Sequence, residues 1–199
     1  MPKIVDHDAR RREIVRTAWE VIARSGVEGA TLREVASEAG FANGALKPYF
    51  PTKEDLFKAT FEYVFARTNQ RVESVVRGLS GWRAISAFAY EVLPLETESI
   101  GEARVVMAYW AVAAQSGDTA SIFVQFQAIW RGRLSDWVGQ AMAQGTVRDG
   151  VRLTAVVEAL LTFLQGSQVI ASMDPVGGSP DSLRAQLAEM IGGWSASGG

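Results

Sequence analysis

Apolar residues recur every three or four positions through almost the whole chain, a spacing that predicts helices. In residues 8–25 the stripe is Ile14, Val15, Ala18, Trp19, Val21 and Ile22, and Gly26 ends it. Thr31-Leu-Arg-Glu34 has capping-box spacing: Thr31 accepts the Glu34 N–H and Glu34 reaches back. Leu32, Val35, Ala36 and Ala39 give the short helix behind it one apolar face, closed by Gly40. A third short helix is expected over about residues 42–47. It ends before Pro48, which lacks an N–H and pushes its predecessor out of α geometry. Thr52-Lys-Glu-Asp55 is another N-cap with acids in the first turn. It opens a long helix over 53–79, striped by Leu56, Phe57, Phe61, Val64, Phe65, Val72 and Val76.

Past Gly81 the predicted helices are longer and more apolar: 82–93, 98–115, 119–143, 153–172 and 181–194. The breaks are Pro94, Gly117-Asp118, and residues 145–150 and 174–180. No segment alternates with period two, so the expected class is all-α, without a sheet. The expected organisation is a three-helix domain over 1–52, a helical domain over 53–194, and a frayed Ser/Gly tail over 195–199.

Composition narrows the function. The chain has 199 residues and a formal net charge of −2, so it does not coat nucleic acid by charge alone. There is no cysteine and a single histidine, His7, which excludes disulfides, thiolate sites and multi-histidine metal sites. Secretory patterning is missing from the first thirty residues, and the apolar window 154–171 is interrupted by Glu158, Gln165 and Gln168. A cytoplasmic protein without a membrane span is the expectation. For an enzyme the chain offers no Gly-rich phosphate loop, no serine elbow and no paired histidine. No cofactor is implied.

Two short helices joined by a glycine turn suit a helix-turn-helix, whose second helix enters the major groove. The first turn of the third helix is nearly bare. Ala42, Gly44 and Ala45 would let it approach base edges, and Asn43 can pair with adenine. Lys47, Tyr49 and Lys53 are placed to hold phosphate, the Thr31 hydroxyl and helix N-terminus offer another phosphate site, and Arg33 follows in that turn. Arg10, Arg11 and Arg12 form either a DNA arm or a solvated face. Thr31 and Thr52 also have a purely structural reading, as helix caps.

The run TLREVASEAGFANGALKPYFPTKEDLF resembles the N-terminal domain of the TetR family of bacterial transcriptional regulators. Thr31, Val35-Ala36, Ala39-Gly40, Gly44, Leu46, Tyr49-Phe50, Lys53 and Leu56-Phe57 carry the likeness. Lys47 and Pro48 depart from it, standing where the family usually has an aromatic and a polar residue. Trp110, Trp130-Arg131, Leu134, Gly145, Asp149, Gly166 and Asp174-Pro175 are similar to the BetI-like branch. The resemblance implies a homodimeric, ligand-responsive regulator, usually a repressor, that reads a palindromic DNA operator. It implies a dimer interface on the last two helices, with Val157, Leu160, Leu161, Leu164, Gln168, Leu187 and Ile191 as candidates. It also implies a small-molecule inducer pocket, with Tyr90, Met107, Trp110, Phe123, Phe126, Trp130 and Phe163 as candidates. Aromatics there suit a flat, greasy or quaternary ammonium ligand. Glu91 and Glu158 are either pocket anions or surface groups. The alternative is a helix-turn-helix regulator whose C-terminal domain binds a protein partner.

Overall fold

Most helices form where the apolar period puts them. The structure, a computed structural model, describes residues 6–42, 44–114, 117–174 and 176–196, without the side chains of 27 and 117–119. Among these lie α1 (His7–Gly29), α2 (Leu32–Glu38), α3 (Lys53–Val75), α4 (Gly81–Val92), α5 (Thr97–Ala113), α6 (Gly117–Ala143), α7 (Leu153–Met173) and α8 (Pro180–Trp194). The expected stop at Gly26 appears as a break in α1, where Gly26 takes φ 72° and ψ −176°. One further turn follows it.

The caps fix the starts of α2 and α3. Thr52 and Asp55 form the full reciprocal box, with Asp55 N–H to Thr52 Oγ1 at 3.1 Å and Thr52 N–H to Asp55 Oδ2 at 3.2 Å. At Thr31 only half forms: Oγ1 accepts from Glu34 N–H at 3.0 Å, while the Thr31 N–H goes to the Gly29 carbonyl. That carbonyl takes the donor Glu34 was expected to meet.

The expected helix over 42–47 is not an α-helix. Residues 44–49 are a run of turns. Lys47 N–H reaches Gly44 O at 3.2 Å and Tyr49 N–H reaches Leu46 O at 2.9 Å, both three residues back. Gly44 has φ 86°, outside helical space, and Pro48 supplies no N–H. Two buried side chains, Leu46 and Phe50, pin the run instead.

Two cores share α3. The first gathers Ile14, Ala18, Ile22, Val35, Leu46, Phe50 and Leu56, and continues past residue 52 to Val64 and to Val105 and Ala108 of α5. The N-terminal unit is therefore docked on α5 and does not close at residue 52. Gly101 permits the docking: a Cβ there would meet Ala23 Cβ at 2.8 Å. Arg104 completes it by donating to the Ala23 carbonyl. The second core joins α3, α4, α6, α7 and α8 through Val72, Ile85, Phe88, Leu134, Leu160 and Leu187. By length and composition α7 could cross a membrane, yet Val156, Val157, Leu160, Leu161 and Leu164 bury its apolar side in this core.

The tail differs from expectation at its start. Trp194 O accepts from Arg148 N–H at 2.8 Å, and Ala196 N–H donates to Thr146 O at 2.9 Å. Ser195 thereby makes one antiparallel bridge with Val147. Residues 197–199 lie outside the described set.

Candidate nucleic-acid interface and ligand cavity

The segment from Thr31 to Lys53 exposes part of what the sequence suggested, in a changed frame. Thr31, Arg33, Ala42, Gly44 and Lys47 are exposed, and Ala45 and Lys53 are half-buried. Asn43 lies outside the described residues. Lys53 holds its ammonium 5.0 Å from the centre of the Phe57 ring. Tyr49 is half-buried, stacked on His7 at 4.4 Å and set edge-on to Phe41. Arg11 is engaged inside the chain: Nη1 donates to Tyr49 O at 2.7 Å and the guanidinium lies 4.3 Å from the Phe50 ring. Arg11 thus braces the end of the turn run. Arg24 and Glu38 tie α1 to α2 through a pair of 3.2 Å hydrogen bonds, and that pairing holds the Glu38 carboxyl below its ordinary range. Both groups are exposed, so the pair orients more than it stabilises.

A small aromatic cavity lies between α3, α5, α6 and α7. Its volume is about 50 Å³. Trp110, Phe123, Phe126 and Trp130 line it, as expected. Three candidates do not. Tyr90 is exposed on α4 and faces an outer groove, Met107 is half-buried away from the cavity, and Phe163 packs on the second core. Helical spacing alone does not say which face of a doubly covered helix meets the hole. The structure adds Phe61 and Phe65 from α3, with Phe65 4.0 Å from Phe126 and 5.2 Å from Trp130 between ring centres. Phe61 stacks on the buried Tyr109 at 4.2 Å, and burial pushes the Tyr109 phenol above its ordinary value.

Polar groups also face the cavity. Glu102 is 5% exposed and accepts from both terminal nitrogens of Arg71, at 3.0 and 2.7 Å. Arg71 Nε donates to Glu91 at 3.2 Å. The hydrogen bond to Glu102, ahead of other causes, raises the Arg71 pKa. Gln127 Oε1 and Trp110 Nε1 are buried without a hydrogen-bond partner. The signal for Glu102 was an acid at the edge of the apolar stretch of α5, as easily a surface group by sequence. Glu158, the other sequence candidate, pairs with Arg131 on the surface at 2.6 Å.

The dimer candidates need correction. Val157, Leu160, Leu161, Leu164 and Leu187 are 0–2% exposed in the single chain's core, and Ile191 packs against the same core. Gln168 donates to Val92 O at 3.0 Å and lines the cavity. The most apolar face was assigned to a partner, whereas it closes the subunit's own core. The outward faces carry Ala155, Thr162, Gly166, Ile170 and Met173 on α7, and Ala185, Ala188 and Gly192 on α8.

Two family models match this chain. That for bacterial regulatory proteins of the tetR family covers residues 14–60, and that for the BetI-type transcriptional repressor, C-terminal, covers 83–193, more than half the chain. The chain belongs to the TetR family of transcriptional regulators. It is a DNA-binding helix-turn-helix regulator and not an enzyme. The tetR-family match spans the turn run at 44–49. The chain is similar to the HTH-type transcriptional regulator PksA of Bacillus subtilis (strain 168), at 27% identity over 192 residues, spanning 96% of this chain and 92% of PksA. A transcriptional regulator from Rhodococcus sp. Rha1 superposes with a TM-score of 0.80 at 28% identity, over 95% of this chain and 99% of that one. A regulator from Saccharomonospora viridis, crystallised with choline, shares the fold with a TM-score of 0.87 at 20% identity, over 96% and 100%.

Proposed function

We propose that this TetR-family protein is a ligand-released repressor: a homodimer that holds a roughly palindromic operator and lets go when a small apolar or aromatic, cationic molecule enters the cavity. Arg33, Lys47 and Lys53 take phosphates, the Thr31 hydroxyl and helix N-terminus take another, and Ala42, Gly44 and Ala45 give close approach to base edges. Tyr49 and Arg11 support the segment that does so. The outward faces of α7 and α8 are small enough for close helix packing across a two-fold axis. A cytoplasmic site of action goes with this reading.

One observation carries the ligand response. The cavity's walls, α3 and α5, are also the two helices on which the N-terminal unit is built. Val106 of α5 shows the link: it lines the cavity and packs against the N-terminal core. At about 50 Å³ the cavity has room for little more than water, against a few hundred Å³ in typical ligand sites. A ligand therefore has to part these walls. It would favour a conformation other than the one described here, which is the requirement for a population shift. The choline bound by the Saccharomonospora viridis regulator supports a small cation as the ligand class.

The test needs no ligand. Val106→Phe pushes a larger group into the cavity from the α5 side. Operator affinity is expected to fall by about tenfold or more, the scale of ordinary coupling free energies, with the helical content kept. A folded Val106→Phe protein that binds operator as tightly as the parent would sink the coupling.

A further inference from the structure

Glu102 and Arg71 stand in the wall between two spaces. Glu102, Thr68 and Ser99 face the inner aromatic cavity, while Arg71, Ser99 and Glu91 line an outer groove of about 560 Å³. One guanidinium serves two carboxylates here, leaving one negative charge unbalanced. The better-buried carboxylate, Glu102, is the one on the cavity side. Phe61, Phe65, Trp110, Phe123, Phe126 and Trp130 surround that side with ring faces, whose quadrupole attracts cations. The same cavity is lined by two further polar groups without partners. Gln127 is 8% exposed with its Oε1 unpartnered, and the Trp110 Nε1 donor is also buried and unpartnered. Buried groups of this kind normally have partners.

Resting on the reading of the cavity as the inducer site, we propose that the inducer is an organic cation carrying a hydrogen-bonding group such as a hydroxyl, and that its positive charge takes the place of the Arg71 guanidinium on Glu102. Arg71 is the cation that Glu102 holds in this conformation. Displaced, it keeps Glu91, which it already touches, and swings toward a groove that also offers Glu96; Glu98 there is held by Arg67, and Arg184 lines the same groove. Glu102 is thereby never left buried and bare, the arrangement that costs most in a protein interior. The ligand's hydroxyl meets the free acceptor of Gln127 and the free donor of Trp110. An anionic ligand would have to evict Glu102 from Arg71 while facing aromatic rings, and a neutral one would leave the extra charge unanswered.

The test is titration of the full-length protein with choline and benzyltrimethylammonium against their neutral isosteres, 3,3-dimethyl-1-butanol and neopentylbenzene, followed by tryptophan fluorescence. At least one cation is expected to bind about tenfold or more tightly than its isostere. In Glu102→Gln, which keeps the shape and can still meet Arg71, that preference should collapse while isostere binding stays unchanged. In Arg71→Met the cation no longer has a competitor, so it should bind more tightly than to the parent and raise the melting temperature by more. A purely structural ion pair would lower stability in both variants without moving the cation-to-isostere ratio. Equal binding of cation and isostere, an unchanged preference in Glu102→Gln, or no binding by any of the four overturns the proposal. The Val106→Phe experiment decides the parent reading separately, because it involves no ligand.

Discussion

Replacing Phe50 with alanine is expected to abolish operator binding while the C-terminal half stays folded. Phe50 is fully buried, and the turn run that ends on it lacks the regular bonding of an α-helix. Leu46 and Phe50 are what anchor residues 44–49 to α1, α2 and the start of α3. Truncating a buried phenylalanine costs about 3–5 kcal/mol. A small domain has only about 5–15 kcal/mol in total, so most of the reading head's stability would go. The change would also take away the ring beneath the Arg11 guanidinium, and with it the Arg11 clasp on the Tyr49 carbonyl. Far-UV circular dichroism should show an early partial melt ahead of the main transition, and gel-shift binding should vanish. An intact single transition with normal DNA affinity would mean that the turn run is held by something else.

The second large effect is expected at Gly166. It lies exposed on α7, and a Cβ built there meets nothing within 4 Å in the single chain. Gly166→Arg should leave the subunit intact, and helix propensity even favours it by up to about 1 kcal/mol. In a dimer packed through α7 and α8 the same position faces the partner, where an arginine would be both a clash and a buried charge. Sedimentation at micromolar concentration should then find a monomer in place of a dimer. Operator affinity should drop by two orders of magnitude or more, since the two reading heads no longer bind as one unit, an avidity effect of about 10²–10⁴. A Gly166→Arg protein that sediments as the parent does would move the interface elsewhere.

The residues show why some of this was legible in the sequence and some was not. Helix positions followed from period, caps and glycine stops, so α2 and the N-terminus of α3 fall where Thr31 and Thr52 put them. The failure at 42–47 came from weighing Pro48 only as a boundary. Together with the positive φ at Gly44 it removes α geometry from the whole segment. The outer and inner faces of α7 could not be told apart because hydrophobicity reports burial and not what does the burying. The richest face closes the subunit's core, and the face left outward is poorer and smaller. About a quarter of the cavity wall comes from α3, which read only as a stripe: Phe61 and Phe65 belong to the same period as Leu56 and Val72 but open onto the hole. Glu102 and Arg71 lie thirty-one residues apart, so no local pattern could pair them. The Gly101–Ala23 contact that seats the reading head on α5 is likewise a long-range fit, visible only once both helices are in place.

The most direct measurement is the salt dependence of binding, for the parent and Lys47→Ala, to a duplex selected by the protein from a random pool, with random-sequence DNA as reference. A selected inverted repeat is expected to bind more tightly than random DNA, with a steep negative slope of log affinity against log salt. In Lys47→Ala that slope should be shallower by about one phosphate contact per subunit, with sequence preference kept. No preference over random DNA at any salt, together with a slope that Lys47→Ala leaves unchanged, would contradict the placing of the operator interface on residues 31–53.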